Sequence, residues 1–421
     1  MRMSDKIKVF TIGDHPLSPS GVGTQTRYII EGLLKTGKYQ FVSFGGAIKH
    51  PDHNPQKTEA WGEDWIIWPV DGYGSQDQVR AMIGQQRPDI LWFMTDPRFY
   101  EWLWLIENEI RPQVPMVYYH VWDNYPYPKF NKPYYASNDH VACISKLTYD
   151  IVQTVAPEVD SSYIPHAVDT DIFSKIDPDQ AKKFKQEKMG PGNEDKFFFF
   201  WNNRNARRKQ SGSLIFWFKK FLDEVGHDKA VLIMHTDPKD HNGQDLEHII
   251  GELGLVNGEV LFSKAKVETA DLAVVYNMID CTINISDAEG FGLATLESLA
   301  CEKPIIVNLT GGMQDQITDG KNVFGVGIEP VSKAVIGSQT VPYIYEDRLS
   351  EKDVVDAMLE IYNKTPEERA EIGRLGREYV MKQFNFDDFV ERWDSLLSSI
   401  YENKGSWETR EGYKSYGVRV F

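Results

Sequence analysis

Two glutamates eight positions apart, Glu289 and Glu297, form the densest chemical signal of the sequence. The apolar run Cys281–Ile285 predicts a buried strand, and the turn Gly290–Gly292 predicts the start of a helix that carries Glu297. A helix N-terminus attracts anions, and ionised carboxylates accept hydrogen bonds from sugar hydroxyls. The pattern favours a diphosphate with a hydroxyl-bearing group on each side, although an isolated pair of this spacing is more often a solvated helix with surface glutamates.

A basic loop that contains Arg204 and Lys209 follows the predicted strand Phe197–Trp201. Ligands of open α/β folds bind at the carboxyl edge of the sheet, where this loop would lie. Fixed cations at that edge stabilise the negative charge that develops as a nucleoside diphosphate departs. A solvated helix start or a nucleic-acid patch is the alternative interpretation of the same basic residues.

A glycine-rich turn, made of Gly21, Val22 and Gly23, lies between a predicted strand, Ile7–Ile12, and a predicted helix, Thr24–Lys35. Glycine permits close approach of the backbone to a phosphate group. The turn does not match the dinucleotide-binding fingerprint, because the third glycine of that motif is replaced by threonine here.

An aromatic segment, Tyr118–Tyr135, begins inside the predicted strand Met116–His120. Flat aromatic faces stack on sugar rings or on unpaired bases. A proline-rich loop packed over the first domain explains the segment equally well, and a histidine at a strand end is more often structural than catalytic.

The elements that must position these candidates alternate between strand-like and helix-like runs in two series, which begin at Ile7 and Phe197. Such alternation is typical of parallel sheets wound with helices. The segment Ser174–Lys196 is charged, lacks a strand pattern and contains a Gly-Pro-Gly sequence, so we place a domain boundary there. After about Val354 the pattern is helical. We therefore expect domains at 1–185 and 186–384, with a last helix at about 385–421 that returns to the first domain.

The composition excludes several classes of protein. A chain of 421 residues with 41 % hydrophobic residues can form two or three packed domains. A formal net charge of −16 disfavours a protein whose main task is to grip a nucleic-acid backbone. Three cysteines without a C-x-x-C spacing exclude a disulfide scaffold. Since no stretch approaches 18 apolar residues, we expect neither a signal peptide nor stable membrane insertion, and a cytoplasmic location.

The segment from Tyr276 to Ile317 resembles the signature of the family-4 retaining glycosyltransferases, which have the GT-B fold of two Rossmann-like domains facing a cleft. The segment contains Glu289 and Glu297 at the family's spacing, followed by Lys303-Pro304 and Gly311-Gly312. The resemblance implies that Glu289 contacts the transferred sugar and that Glu297 holds the ribose of the nucleotide.

The same resemblance implies roles for the remaining candidates. Arg204 and Lys209 would neutralise the leaving diphosphate, although Asn203 stands where the family usually has glycine. His120 would act as a hydrogen-bonding catalytic residue close to the donor sugar and the acceptor, and the aromatic segment that adjoins it would form the acceptor side. The donor-binding backbone would include Gly21, Val22, Gly23, Gly290, Phe291, Gly292 and Leu293, and the acceptor side would include Trp122, Asp123 and Tyr125.

The resemblance implies a retaining hexosyl- or pentosyltransferase that moves a sugar from a nucleoside diphosphate sugar to an acceptor hydroxyl, in glycan or glycoconjugate synthesis. The N-terminal domain would bind the acceptor and the C-terminal domain the donor. The acceptor is open: a saccharide, a lipid-linked glycan or a hydroxymethylated base in DNA. A non-catalytic nucleotide- or NAD-binding protein is the alternative of another class.

We expect neither a cofactor nor a metal ion. The stretch His235–His241 holds two histidines and two aspartates, but its spacing is not diagnostic of metal ligands. Departure of the nucleoside diphosphate in GT-B enzymes needs no bound divalent ion, which is what the resemblance implies here.

Overall fold

The computed structural model describes residues 6–190, 192–193, 195–265 and 267–417. Within them, eight strands form the first sheet: β1 (Ile7–Asp14), β2 (Tyr39–Gly46), β3 (Gln56–Lys57), β4 (Trp65–Pro69), β5 (Ile90–Thr95), β6 (Met116–His120), β7 (His140–Cys143) and β8 (Ser161–Tyr163). Their order is β3-β4-β2-β1-β5-β6-β7-β8, and only the pairing of β3 with β4 is antiparallel.

The second sheet is parallel throughout and contains six strands of the described chain. They are β9 (Phe197–Asn202), β10 (Ala230–His235), β11 (Val260–Ser263), β12 (Cys281–Asn284), β13 (Ile305–Asn308) and β14 (Gly325–Ile328). Their order is β11-β10-β9-β12-β13-β14. An antiparallel hairpin follows, made of β15 (Ser332–Ile336) and β16 (Ile344–Arg348).

Helices connect the strands of both sheets and end the chain. They are α1 (Gly21–Lys35), α2 (Gln76–Gln86), α3 (Glu101–Trp104), α4 (Glu107–Ile110), α5 (Lys132–Ala136), α6 (Lys146–Val155), α7 (Pro178–Met189), α8 (Ser211–Val225), α9 (Leu246–Glu252), α10 (Thr269–Met278), α11 (Leu293–Ala300), α12 (Glu351–Asn363), α13 (Pro366–Gln383) and α14 (Phe386–Lys404).

Both sheets are buried on both faces, as the continuous apolar strands predict. In β1, Val9 belongs to one core and its neighbour Phe10 belongs to another. In β9, Phe198 and Phe199 divide in the same way between two cores. The prediction of two doubly wound α/β domains with a helical C-terminal extension is therefore confirmed.

The last helix, α14, packs against the first domain. Trp393 is fully buried there, with its ring centroid 5.8 Å from that of Trp92 and 4.8 Å from that of Tyr119. Tyr39 also donates a hydrogen bond to the Asp394 carboxylate over 2.7 Å. The chain passes to the second domain before β9 and returns to the first domain after α13, so α14 links the two domains.

The segment between the sheets differs from a simple linker. Residues 178–189 form α7, which begins at Pro178 with Asp177 as its N-cap, and Lys185 lies 4.4 Å from the ring centroid of Phe198 in the second domain. Pro191 and Glu194 lie outside the described residues, as do residues 1–5 and 418–421. The domain limits at 185 and 384 stay a prediction.

The β15–β16 hairpin is an element that the sequence pattern did not predict, and it bridges the domains. The backbone N–H of Tyr345 donates to the carbonyl of Tyr125 over 2.6 Å, and the two rings stack with centroids 6.1 Å apart. Val341 and Ile344 are buried in a core of the first domain. At its other end, Asp347 accepts a hydrogen bond from Thr310 in the second domain over 2.7 Å.

Candidate active site

The loop between β12 and α11 carries Glu289 and rests on two glycines of the following segment. Gly311 has a positive φ of 55°, and a Cβ atom there would lie 1.7 Å from the carbonyl oxygen of Glu289. The backbone N–H of Gly312 donates to that same oxygen over 3.0 Å. No side chain fits between this segment and the loop. The glycine pair therefore lets the two backbones approach closely, and this contact fixes the position of Glu289.

The turn after Glu289 lies at the contact between the two domains. A Cβ atom at Gly290 would lie 3.6 Å from the carbonyl oxygen of Trp122, and the Phe291 ring packs 4.9 Å from the ring of His166. Gly292 then adopts a φ of 91° and starts α11, which has no side-chain cap among the described residues. The first N–H groups of α11 therefore remain available to an anion.

The first domain approaches the same helix through its glycine-rich turn. A Cβ atom at Gly21 would lie 3.0 Å from the Leu293 side chain, so the turn faces the start of α11 across the cleft. Ser20 caps α1, and a Cβ atom at Gly23 would lie 2.6 Å from the Ser18 hydroxyl. The adjacent Val22 is partly buried against the core. The predicted donor-binding backbone elements are thus brought together.

Lys209 and Glu289 form a direct ion pair at the centre of this region. Their side chains are only 9 % and 13 % exposed, and Asn284 donates a second hydrogen bond to the Glu289 carboxylate over 3.3 Å. Burial alone would raise the pKa of Glu289, but the charges of Lys209 and Arg208 outweigh it, and the pKa is lowered. Glu289 is therefore ionised at neutral pH.

Arg204 lies in the same loop but does not join this pair. Its guanidinium binds the Asp240 carboxylate, with Nε 2.7 Å from Oδ2, and its side chain is 62 % exposed. The hydrogen bond from Arg204 holds the pKa of Asp240 well below its usual range. The structure thus brings together Lys209 and Glu289, and leaves Arg204 at the open side of the loop.

Glu297 lies inside α11 and is held by a tyrosine from α10. Tyr276 donates to the Glu297 carboxylate over 2.7 Å, and Asn202 donates to the Tyr276 hydroxyl over 3.2 Å. Burial raises the pKa of Glu297 to about 7, against the lowering effect of the Tyr276 hydrogen bond. This carboxyl can change its protonation state near neutral pH, and a donor hydroxyl next to it would favour the ionised form.

Arg208 is a site residue that the sequence reasoning passed over, since only the spacing of Arg204 and Lys209 fits the family. Its Nη1 donates to the carbonyl of Ala288 over 2.8 Å, and its Nε lies 3.5 Å from Oδ2 of Asp123 in the first domain. The run of basic residues in this loop is the signal that could have found it. Tyr276 and Asn284 carried no comparable signal, because tyrosine and asparagine are common in ordinary strands and helices.

Two of the predicted side chains, His120 and Trp122, are buried in the first domain. His120 is fully buried, its Nε2 lies 3.0 Å from the Tyr135 hydroxyl, and burial lowers its pKa to about 3. Trp122 is 2 % exposed, and its indole N–H donates to the carbonyl of Asn124. Both side chains pack inside the first domain, and their predicted catalytic and acceptor-binding roles stay predictions.

The other predicted acceptor residues lie at the domain contact. Asp123 pairs with Arg208, as described above, and its side chain is 15 % exposed. Tyr125 stacks on Tyr345 of the hairpin, and its hydroxyl accepts a hydrogen bond from Gln314 over 3.1 Å. Their contribution to acceptor binding stays a prediction.

No group of three or more histidines, cysteines, aspartates or glutamates is arranged to hold a metal ion in the part of the chain that the structure describes. Among the same residues, no helix has the length and apolar character needed to cross a membrane. The cytoplasmic location and the independence from metal stay predictions.

Part of the second domain is similar to a described family of proteins. Residues 182–379 match the family described as glycosyl transferases group 1. The D-inositol 3-phosphate glycosyltransferase of Paenarthrobacter aurescens is 29 % identical over 103 residues, which cover 24 % of each chain. The N-acetyl-alpha-D-glucosaminyl L-malate synthase of Bacillus anthracis is 24 % identical over 62 % of this chain and 60 % of its own length. The matched regions thus span less than two thirds of these curated relatives.

Solved structures match nearly the whole chain. Sucrose-phosphate synthase from Thermosynechococcus elongatus superposes with a TM-score of 0.72 at 15 % identity, over 94 % of this chain and 100 % of that one. The HepE protein of Anabaena, solved in complex with UDP and glucose, gives a TM-score of 0.68 at 15 % identity, over 93 % and 100 % of the two chains. These similarities confirm the predicted fold and the predicted family resemblance. Residues 182–379 are thus similar to the group 1 glycosyl transferases, and the chain as a whole has the GT-B fold.

Proposed function

We propose that this chain transfers a glycosyl group from a nucleoside diphosphate sugar to an acceptor hydroxyl, with retention of the anomeric configuration. The observation that carries the proposal is the buried Lys209–Glu289 pair beside the uncapped N-terminus of α11. An enzyme of this kind must neutralise a diphosphate and orient a sugar at one place, and these groups supply both functions. The transferase activities named for its relatives support the same class of reaction.

The donor would bind mainly to the second domain. Its diphosphate would lie against the first N–H groups of α11, because the aligned peptide dipoles favour an anion there. Lys209 would contact the diphosphate. Arg204 would leave its ion pair with Asp240 and bind a phosphate oxygen instead. Glu297 would accept hydrogen bonds from the ribose hydroxyls, and the sugar would lie next to Glu289.

The transfer step is a substitution on one face of the sugar. The acceptor oxygen forms a bond to the anomeric carbon as the bond from that carbon to the diphosphate oxygen breaks, through an oxocarbenium-like state. The electron pair of the broken bond stays on the diphosphate, and the acceptor proton moves to a β-phosphate oxygen. Lys209 and Arg204 stabilise the charge that develops on the leaving group, and Glu289 holds the sugar. No bound metal ion takes part in the proposed reaction.

The first experiment is thermal unfolding of the full chain with UDP, GDP, ADP, TDP and NAD, each with its sugar conjugate where one exists. A ligand at about 100 times its Kd stabilises the folded state by roughly 2.7 kcal/mol. For domains of this size the expected rise in Tm is about 5–10 °C. UDP is the first candidate, since a similar structure was solved with it.

A stabilising nucleotide is then tested as its sugar conjugate against saccharide, lipid-linked and hydroxymethylated-DNA acceptors. The anomeric configuration of the product is read by NMR from the coupling constant of the anomeric proton. Retention supports the proposal, and inversion contradicts its mechanism. Stabilisation by NAD alone would contradict the function and favour a binding protein.

A further inference from the structure

Arg208 connects the two halves of the cleft. Its backbone carbonyl accepts a hydrogen bond from the N–H of Asp287 over 2.8 Å, and its guanidinium donates to the carbonyl of Ala288 over 2.8 Å. The residue after these two is Glu289. Arg208 is therefore fastened at two points to the loop that presents the predicted sugar-contacting glutamate.

The same guanidinium reaches into the first domain. Its Nε lies 3.5 Å from the Asp123 carboxylate, which follows strand β6 in the predicted acceptor segment. Arg98, from the loop after β5, lies over the Trp122 ring at 6.0 Å and binds Asp96, so it does not take the place of Arg208. In the part of the chain that the structure describes, Asp123 forms its ion pair with the second domain through Arg208.

The neighbouring arginine in the same turn provides a contrast. Arg207 is 60 % exposed and forms a bidentate pair with Glu346 of the hairpin, over 2.7 and 2.9 Å. It does not contact the loop that carries Glu289 in any of the described hydrogen bonds. Adjacent residues of one loop thus have different partners: Arg207 binds the hairpin, and Arg208 joins the loop that carries Glu289 to Asp123.

We propose that Arg208 is a positioning residue that sets the distance between acceptor and donor when the cleft is closed. This inference depends on the proposed function, since it assigns a role within that reaction. Because an arginine presents several donors in a fixed plane, one guanidinium can hold a carbonyl and a carboxylate at once. Loss of this group leaves the backbone hydrogen bond from Asp287 and the Lys209–Glu289 pair in place, and it lets the acceptor segment move away from the anomeric carbon.

The test compares Arg208→Ala, Arg208→Lys, Asp123→Ala and the double variant Arg208→Ala/Asp123→Ala with the unmodified chain. Arg208→Ala should lower kcat for transfer by about 10- to 100-fold, since small losses of alignment have effects of that size. The Kd of the donor nucleotide should stay within about twofold. Arg208→Lys should recover part of kcat, because a lysine can reach only one of the two partners at a time.

The ratio of transfer to donor hydrolysis is the readout that a merely structural role would not move. Water needs no positioning by the acceptor segment, so the ratio should fall in Arg208→Ala and in Asp123→Ala, and the double variant should be no worse than the stronger single one. Arg374→Ala, at an exposed ion pair of α13, is the matched control.

Three results would overturn the inference. Unchanged kcat and an unchanged ratio in Arg208→Ala contradict it while leaving the proposed function in place. Additive losses in the double variant show that Arg208 does not act through Asp123. Absence of transfer by the unmodified chain with every donor contradicts the proposed function and this inference together.

Discussion

The two ends of the basic loop between β9 and α8 carry the same charge in opposite surroundings. At one end, Lys209 is 9 % exposed and forms an ion pair with Glu289. If either side chain moved away, the other would remain as a buried charge without a partner. At the other end, Arg204 is 62 % exposed, and only its partner, the Asp240 carboxylate, is largely covered, with 13 % exposure. Five positions of sequence separate a fixed cation from a movable one.

The difference shows that the two cations of the proposed leaving-group site, Lys209 and Arg204, are held with different strength. Breaking a buried ion pair by removing one partner costs about 3–5 kcal/mol, whereas an exposed pair contributes about 0–1 kcal/mol. Lys209 is thus held in place before the donor arrives, and Arg204 can exchange Asp240 for a phosphate at little cost.

Replacement of Lys209 by alanine should have the largest effect. It removes one cation from the leaving diphosphate, and kcat should fall by about 10²–10³-fold. It also leaves Glu289 buried without its partner, so unfolding free energy should fall by about 3 kcal/mol or more and Tm by at least about 6 °C. Steady-state kinetics and calorimetry measure the two losses.

The control for Lys209→Ala is Lys219→Ala, which removes an exposed lysine of α8 from its pair with Asp223. That variant should keep the kcat and Tm of the unmodified chain. If Lys209→Ala has the Tm of the control, the buried pair does not stabilise the fold, and the contrast between the two ends of the loop disappears.

Replacement of Arg204 by alanine separates catalysis from stability. The kcat should fall by about 10²-fold, because the charge on the leaving diphosphate loses one of its two cations. The Tm should change by less than about 2 °C, since the Arg204 guanidinium is exposed and screened by solvent. A large loss of Tm with little loss of kcat would show that Arg204 is a structural residue.

The sequence was sufficient for the strands that lie beneath the site. Met116–His120 and Phe197–Trp201 are apolar runs bounded by turn residues, and the structure has strands at Met116–His120 and Phe197–Asn202. The spacing of Phe99–Glu109 is helical, whereas the structure has two short helices there, α3 and α4. Between them, Ile106 is buried and Leu105 is 38 % exposed.

Side-chain partners were harder to predict than elements. The spacing of Arg204 and Lys209 identified the loop, but it could not show that Arg208 crosses the cleft, because that contact joins residues 85 positions apart in sequence, 123 and 208. The burial of His120 depends equally on Tyr135, which folds back over the strand end. The hairpin at 332–348 was missed because its strands alternate weakly and gain their packing from the other domain.

Glu297 should make nucleotide binding depend on pH. Burial raises its pKa to about 7, so the folded state binds a proton that the unfolded chain releases near pH 4.5. Its contribution to stability is therefore present at low pH and is lost as pH rises from about 4.5 to 7. Ribose hydroxyls prefer the ionised carboxylate, so UDP should bind up to about tenfold more weakly per pH unit below 7. Calorimetric titration between pH 5.5 and 8.5 measures this slope.

Glu297→Gln is the matched variant for the pH series. Asp287, whose pKa burial raises to about 6, titrates in the same range, so only the difference between the two proteins is assigned to Glu297. The slope should become smaller in Glu297→Gln. An equal slope in both proteins would show that Glu297 does not contact the ribose. The pH dependence of UDP binding would then be assigned to Asp287.

Replacement of Asp240 by asparagine should have the smallest effect and the opposite sign. It releases the exposed Arg204 guanidinium from its ion pair, and an ion pair screened by solvent contributes about 0.2–1 kcal/mol. A nucleoside diphosphate would then meet a cation without a competing carboxylate, so its Kd should fall by up to about fivefold. Titration of UDP into Asp240→Asn measures the change, and the gain should vanish when Arg204→Ala is added. Weaker binding in the single variant would mean that Asp240 itself contacts the nucleotide. The position of Arg204 during catalysis would then depend on the Asp240 carboxylate as well as on the phosphate.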